Sequence, residues 1–160
     1  MTDFREKSIS WRDAEEHISE GTVQSLAKLQ RSEGVLRQYR AFREQVLCKW
    51  ETLLDYMRAQ VFDCSTKAVE DGKISAHLKE HVAKQENPTI AWRKNDFPYN
   101  FEQGIDHHVL WSTKPLATEE LTLAISTEFP SHETLYWINP PELQSIGALW
   151  HCHVLSRPKA

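Results

Sequence analysis

Trp150-His151-Cys152-His153-Val154-Leu155-Ser156 is the stretch whose reading decides the fold. Apolar and polar residues alternate through it, and side chains two apart on an extended chain leave the same side. The segment reads as a final β-strand that presents His151 and His153 together and turns Cys152 to the opposite face. Working back from it, Thr134 to Ile138 reads as a strand closed by the Pro140-Pro141 turn. Thr118-Glu119-Glu120 opens a helix to about Ser126. Asp106 to Thr113 reads as a strand carrying His107 and His108, Asp96 to Gly104 as a loop, and Thr89-Ile90-Ala91-Trp92 as a further strand. From Asn87-Pro88 onward, Pro, Val, Ile, Trp, Tyr and Thr cluster in short runs, as in a small sheet with turns.

Residues 1–87 have a different grain and read as helical. Ser10 and Asp13 resemble a capping box for a helix through Trp11, Ala14 and Ile18, ended by Gly21. Thr22 caps a short helix with Val23, Leu26 and Leu29 on one face. From Leu36 to Val61, apolar residues recur at three- and four-residue steps, which predicts one helix of about seven turns. Arg37, Arg40, Arg43 and Glu44 fall on its solvated side. Asp71-Gly72 breaks the pattern, and a helix over roughly 75–85 carries His77 and His81. The expected fold is α+β: one domain over 1–160, its helical portion (1–87) packed on a small antiparallel sheet in the portion 88–160 that bears the histidines. Neither portion alone buries enough to be comfortable at this size.

Composition removes several classes of function. A net charge of −4 argues against a broad basic surface for extended nucleic acid. Only 5 Gly among 160 residues disfavour a glycine-rich phosphate loop. The cysteines Cys48, Cys64 and Cys152 form no CxxC and no disulfide framework. The first seven residues, Met1 to Lys7, are polar, and no window approaches a membrane span. A cytoplasmic protein without a membrane partner is expected.

Five of the eight His lie beyond residue 106. If the two histidine strands are neighbours, His107 or His108 meets the His151/His153 pair. Three readings then stand. The imidazoles bind a divalent metal, with Asp106 or Asp96 as the carboxylate. One imidazole acts as nucleophile or base on a phosphate ester while another orients it, with no cofactor. Or they are hydrogen-bonded histidines beside Trp111, Trp137 and Trp150 in a non-catalytic ligand- or protein-binding module. Around them, Phe97 or Tyr99 is placed to stack on a flat ligand, Asn139 to aim an amide into the site, Trp111 to line it and Arg157 to grip a phosphate.

Asn95-Asp96-Phe97-Pro98-Tyr99, Gly104-Ile105-Asp106-His107, Trp137-x-Asn139-Pro140-Pro141 and His151-x-His153, with Trp11, Leu29-x-Arg31-Ser32 and Tyr39-x-x-Phe42-Arg43, resemble the fungal N-acetylglucosamine-induced protein family. That is a domain of unknown function, and the likeness covers nearly the whole chain. Residues 95–158 also resemble the histidine-triad (HIT) nucleotide hydrolases and transferases, through Pro98-Tyr99, Gly104, His107, Thr118-Glu119-Glu120, Asn139, Gln144-Ser145 and His151 to Arg157. That resemblance implies a HIT-like C-terminal half acting on a small phosphate-containing ligand, a nucleotide or nucleotide sugar. It implies His151 as nucleophile, His153 as its partner, and His107 and Ser145 beside the phosphate. The chain departs from the triad at its first histidine, where Leu149 stands, and in the longer spacing from Ser145 to His151. An alignment on His153 as the nucleophile instead sets Leu155 in the place of a polar partner.

Overall fold

The computed structural model describes residues 6–160, so the reading of Met1 to Arg5 as free of a leader lies outside the described residues. Helix α1 (Trp11–Glu20) starts at Ser10, whose hydroxyl accepts the Asp13 N–H at 3.0 Å, and stops at Gly21 in the left-handed region (φ 64°). Thr22 and Ser25 form a reciprocal capping box for α2 (Val23–Leu26).

The seven-turn helix is two helices. α3 (Glu33–Lys49) ends at Trp50, which turns extended (φ −107°, ψ 147°) and bridges to Ile74; α4 (Leu53–Val61) restarts with Thr52 as its cap. The apolar period runs through the break without a Gly or Pro, so periodicity does not reveal it. Just after the break, Asp55 in the first turn of α4 is buried and ties that turn to Ala76. Its Oδ2 accepts the Thr52 hydroxyl at 2.5 Å and its Oδ1 accepts the Ala76 N–H at 2.9 Å.

The all-helical expectation for 1–87 fails over 64–78. Strands β1 (Cys64–Ala68) and β2 (Ile74–Leu78) form an antiparallel hairpin whose turn uses Gly72 at φ 74°. Asp71-Gly72 is a hairpin signal as well as a helix stop. The helix expected over 75–85 reduces to one turn, α5 (Glu80–Ala83), with His77 on β2 and His81 exposed beside Asp63.

The main sheet has strands β3 (Ile90–Lys94), β4 (Asp106–Ser112), β5 (His132–Trp137) and β6 (His151–Pro158), all antiparallel in the order β3-β4-β6-β5. Helix α6 (Thr118–Glu128) covers one face, packing Leu121 and Ile125 on Leu110, Cys152 and Val154. The N-terminal portion covers the other. Trp11, Ala14, Leu26 and Leu29 pack on Trp137 and Leu155, and Leu54, Met57 and Val61 pack around Val109 and Trp111. Burying a side chain such as Leu110 or Leu155 stabilises the fold by about 1.5–3 kcal/mol. Among the described residues no helix is long and apolar enough to cross a membrane.

Candidate functional site

Register assembles the site. Trp111 pairs with His151, Val109 with His153 and His107 with Leu155, so all six share the face turned to the N-terminal helices. His108 falls one position off and turns to the α6 side, where it lies 3.0 Å from the Ser156 hydroxyl and packs on Phe129. Of the two histidines expected to meet the pair, the structure selects His107.

The loop before β4 is fixed from several sides. Asn100 N–H donates to the Gln30 carbonyl at 2.8 Å, Ile9 N–H to the Asn100 carbonyl at 2.7 Å, and Arg31 Nε–H to the Phe97 carbonyl at 2.8 Å. These contacts hold Tyr99 against the histidines. His153 packs against both Trp137 (centroids 4.9 Å apart, 12°) and Tyr99 (5.4 Å, 29°), which also contact each other, and His151 stacks on Trp111 (4.6 Å, 30°).

Fixed donors assign the ring protons. Tyr99 N–H donates to His107 Nδ1 at 3.2 Å, so the neutral His107 carries its hydrogen on Nε2 and donates to His153 Nδ1 at 2.8 Å. That leaves the hydrogen of His153 on Nε2. Trp137 Nε1–H donates to Asn139 Oδ1 at 3.0 Å, which turns the Asn139 amide nitrogen toward His153 Nε2 at 3.3 Å and the Tyr99 hydroxyl at 3.4 Å. Two N–H donors thus face one another, a geometry that an oxygen accepting from both would relieve. His151 is simpler: the Leu149 carbonyl lies 2.8 Å from Nδ1 and can only accept, so Nδ1 holds the hydrogen and Nε2 keeps its lone pair.

Burial keeps these rings neutral. It pulls the pKa of His107 down to about 3, helped by the charge of Arg31 and by His108. Burial lowers His153 well below its ordinary value, with His107, His151 and Arg31 adding to it. Burial lowers His151 too, opposed in part by the Leu149 carbonyl.

The rings open on a cavity of about 480 Å³. It takes in His151, His153, Tyr99, Asn139, Ser145 and Trp111, all expected from sequence, and Phe97 beside them. His107 lies behind, bonded to His153 and 2 % exposed. Arg157 does not belong. It shares the face of His151, but six residues farther along β6 it lies 4.3 Å over the Trp11 ring and donates Nε–H to Glu133 at 2.6 Å. Asp106 does not join the histidines either; strand alternation turns it to the other face, where it pairs with Lys94 at 3.2 Å. Among the described residues no group of three or more His, Cys, Asp or Glu side chains is placed to hold a metal ion.

Arg31 and Arg43 also line this cavity and were not among the expected site residues. Arg43 was assigned to a solvated helix face, and a helical period alone gives no sign that a loop folds over that face. The available signal was the Arg31-Ser32 and Phe42-Arg43 motifs of the family resemblance.

The uncharacterized protein YPL067C of Saccharomyces cerevisiae is 39% identical over 83 residues, a match that covers 41% of this chain. The chain thus matches less than half, 42%, of that relative's length. The crystal structure of HTC1 aligns with a TM-score of 0.62 at 26% identity, covering 94% of this chain and 85% of HTC1. Residues 10–130, from the cap of α1 to the residues before β5, match the family described as protein of unknown function DUF3605, and the chain belongs to that family.

Proposed function

We propose that the protein is a phosphate-ester-processing enzyme of HIT-like type, acting on a nucleotide or nucleotide sugar, with His151 as nucleophile. The observation that carries this reading is the bond between His151 Nδ1–H and the Leu149 carbonyl, which leaves the Nε2 lone pair on a ring that lines the cavity. Nε2 attacks phosphorus, a P–N bond forms and the P–O bond to the leaving group breaks. Water then attacks phosphorus, releasing the phosphate product and restoring Nε2; the leaving oxygen takes its proton from solvent. His153 Nε2–H and the Asn139 amide supply the facing donors for a phosphoryl oxygen, where negative charge grows during attack. His107 positions His153 and fixes its tautomer. Ser145, also at the cavity, is a further candidate donor.

The test is turnover of a panel of nucleoside diphosphate sugars and nucleoside phosphoramidates, with alkaline quench and intact-protein mass measurement. A phosphoryl or nucleotidyl adduct on the native chain, absent in His151→Asn, is the expected result. Turnover unchanged in His151→Asn overturns the reading. Leu149, in the place of the triad's first histidine, favours a second one, in which the cavity binds a phosphate compound without turning it over. Saturable binding without adduct or product selects that alternative.

A further inference from the structure

The histidines occupy one end of the cavity, and the wall opposite carries charge that a single phosphorus does not need. Arg31, just before α3, has its guanidinium carbon 4.0 Å from the Tyr39 ring centre and 5.1 Å from that of Tyr99. Arg43, on α3, has its own 5.7 Å from the same Tyr39 centre. Burial lowers the Arg31 pKa, and Arg43 adds to that lowering. Arg93, another cation at this cavity, is already engaged, donating to the Gln60 carbonyl at 3.1 Å, and the Lys94 ammonium pairs with Asp106 on the opposite face of the sheet. Among the described residues, no salt bridge joins Arg31 or Arg43 to a carboxylate, and Asp96, which is exposed, is the only carboxylate lining the cavity. All this sits on a chain of net charge −4. Two guanidiniums that share a ring and lack an anion repel one another and lose hydration. A bound anion would turn that cost into affinity.

We infer that Arg31 and Arg43 form a second anion subsite, so that the ligand carries two phosphate-like groups: one facing His151 and His153, the other held by the two guanidiniums. The inference rests on the phosphate reading for the histidine end. Tyr99 borders both subsites, 5.1 Å from the Arg31 guanidinium and 5.4 Å from the His153 ring, so one ligand with two adjacent phosphate groups can reach both. A nucleoside diphosphate or its sugar ester fits this pattern, and a simple monophosphate ester does not.

Calorimetric titration of the full chain with inorganic pyrophosphate and with inorganic phosphate, at matched ionic strength, tests it. Pyrophosphate should bind at least about tenfold more tightly, a preference that two charge-assisted contacts readily supply. Arg43→Gln should abolish most of that preference and Arg43→Lys restore part of it. Arg31→Gln should act in the same direction; because Arg31 also holds the Phe97 carbonyl, Arg43→Gln decides the matter. Equal or undetectable affinities for the two anions, or a preference unchanged in Arg43→Gln, overturn the subsite. Full turnover in His151→Asn alongside an Arg43-dependent preference retires the covalent reaction and leaves the subsite standing. His151-dependent turnover without the preference does the reverse.

Discussion

The two faces of the main sheet are both buried and differently filled. On the α6 side, β4 and β6 contribute Leu110, Cys152 and Val154, each fully buried among Leu121 and Ile125. On the side of the N-terminal helices, the same strands contribute His107, His151 and His153, at most 9 % exposed. The first face needs only volume. The second needs partners, because a buried polar group without one costs about 1–3 kcal/mol. Each imidazole has one: His107 has Tyr99 and His153, His153 has His107, and His151 has the Leu149 carbonyl. The contrast teaches that depth of burial does not separate structure from chemistry here. Lone-pair accounting does: among the described residues, Nε2 of His151 is the ring acceptor on this face that no contact inside the protein consumes.

The sharpest way to break the contrast is His151→Asn, which retains a donor for the Leu149 carbonyl and removes the proposed nucleophile. Turnover should fall by at least about 10³-fold, equivalent to about 4 kcal/mol of barrier, while the urea midpoint barely moves. The opposite signature belongs to Leu110→Ala on the α6 side. It should cost about 2–5 kcal/mol in urea unfolding, with ligand affinity unchanged in the fraction that stays folded.

Acid should reveal the polar face. The pKa of His107 is about 3 folded and near 6.5 unfolded, so between those values the unfolded chain binds the extra proton. Stability is therefore full above pH 6.5 and declines as pH falls toward 3. From pH 7.5 to pH 5 this one ring accounts for roughly 2 kcal/mol, and His153 acts in the same direction. Urea unfolding at the two pH values, with His107→Gln as the control that narrows the difference, checks the sign. The smallest effect is expected for Arg157→Ala. Its half-exposed pair with Glu133 is worth at most about 1 kcal/mol, and ligand affinity should not change.

Much of the sheet was legible because its signal is local. Alternation in 150–156 and 106–113 put His151 with His153 and placed Cys152 behind them, as the register bears out. The pairing of β4 with β6 was not local. It entered as a condition, and only the ladder decides that His107 rather than His108 joins the site. The Leu36–Val61 reading failed because amphipathic phase survives a break that no Gly or Pro marks: the chain turns extended at Trp50, bridges to Ile74 and restarts at the Thr52 cap. Arg157 was misplaced by a right face at a wrong distance, and Arg31 and Arg43 were missed because their neighbours come from the remote loop around Phe97 and Tyr99.

The bond from the Tyr99 amide to His107 bears on how this sequence can drift. Replacing that imidazole strands a main-chain hydrogen and the ring beyond it, so a lineage that abandoned turnover would still be penalised for losing His107. Retention of the buried pair among descendants therefore marks architecture, whereas position 151, which need only supply a donor to the Leu149 carbonyl, is free to change once the proposed reaction no longer matters. Descendants that keep 107 and 153 but vary at 151 are where a silent branch should be sought.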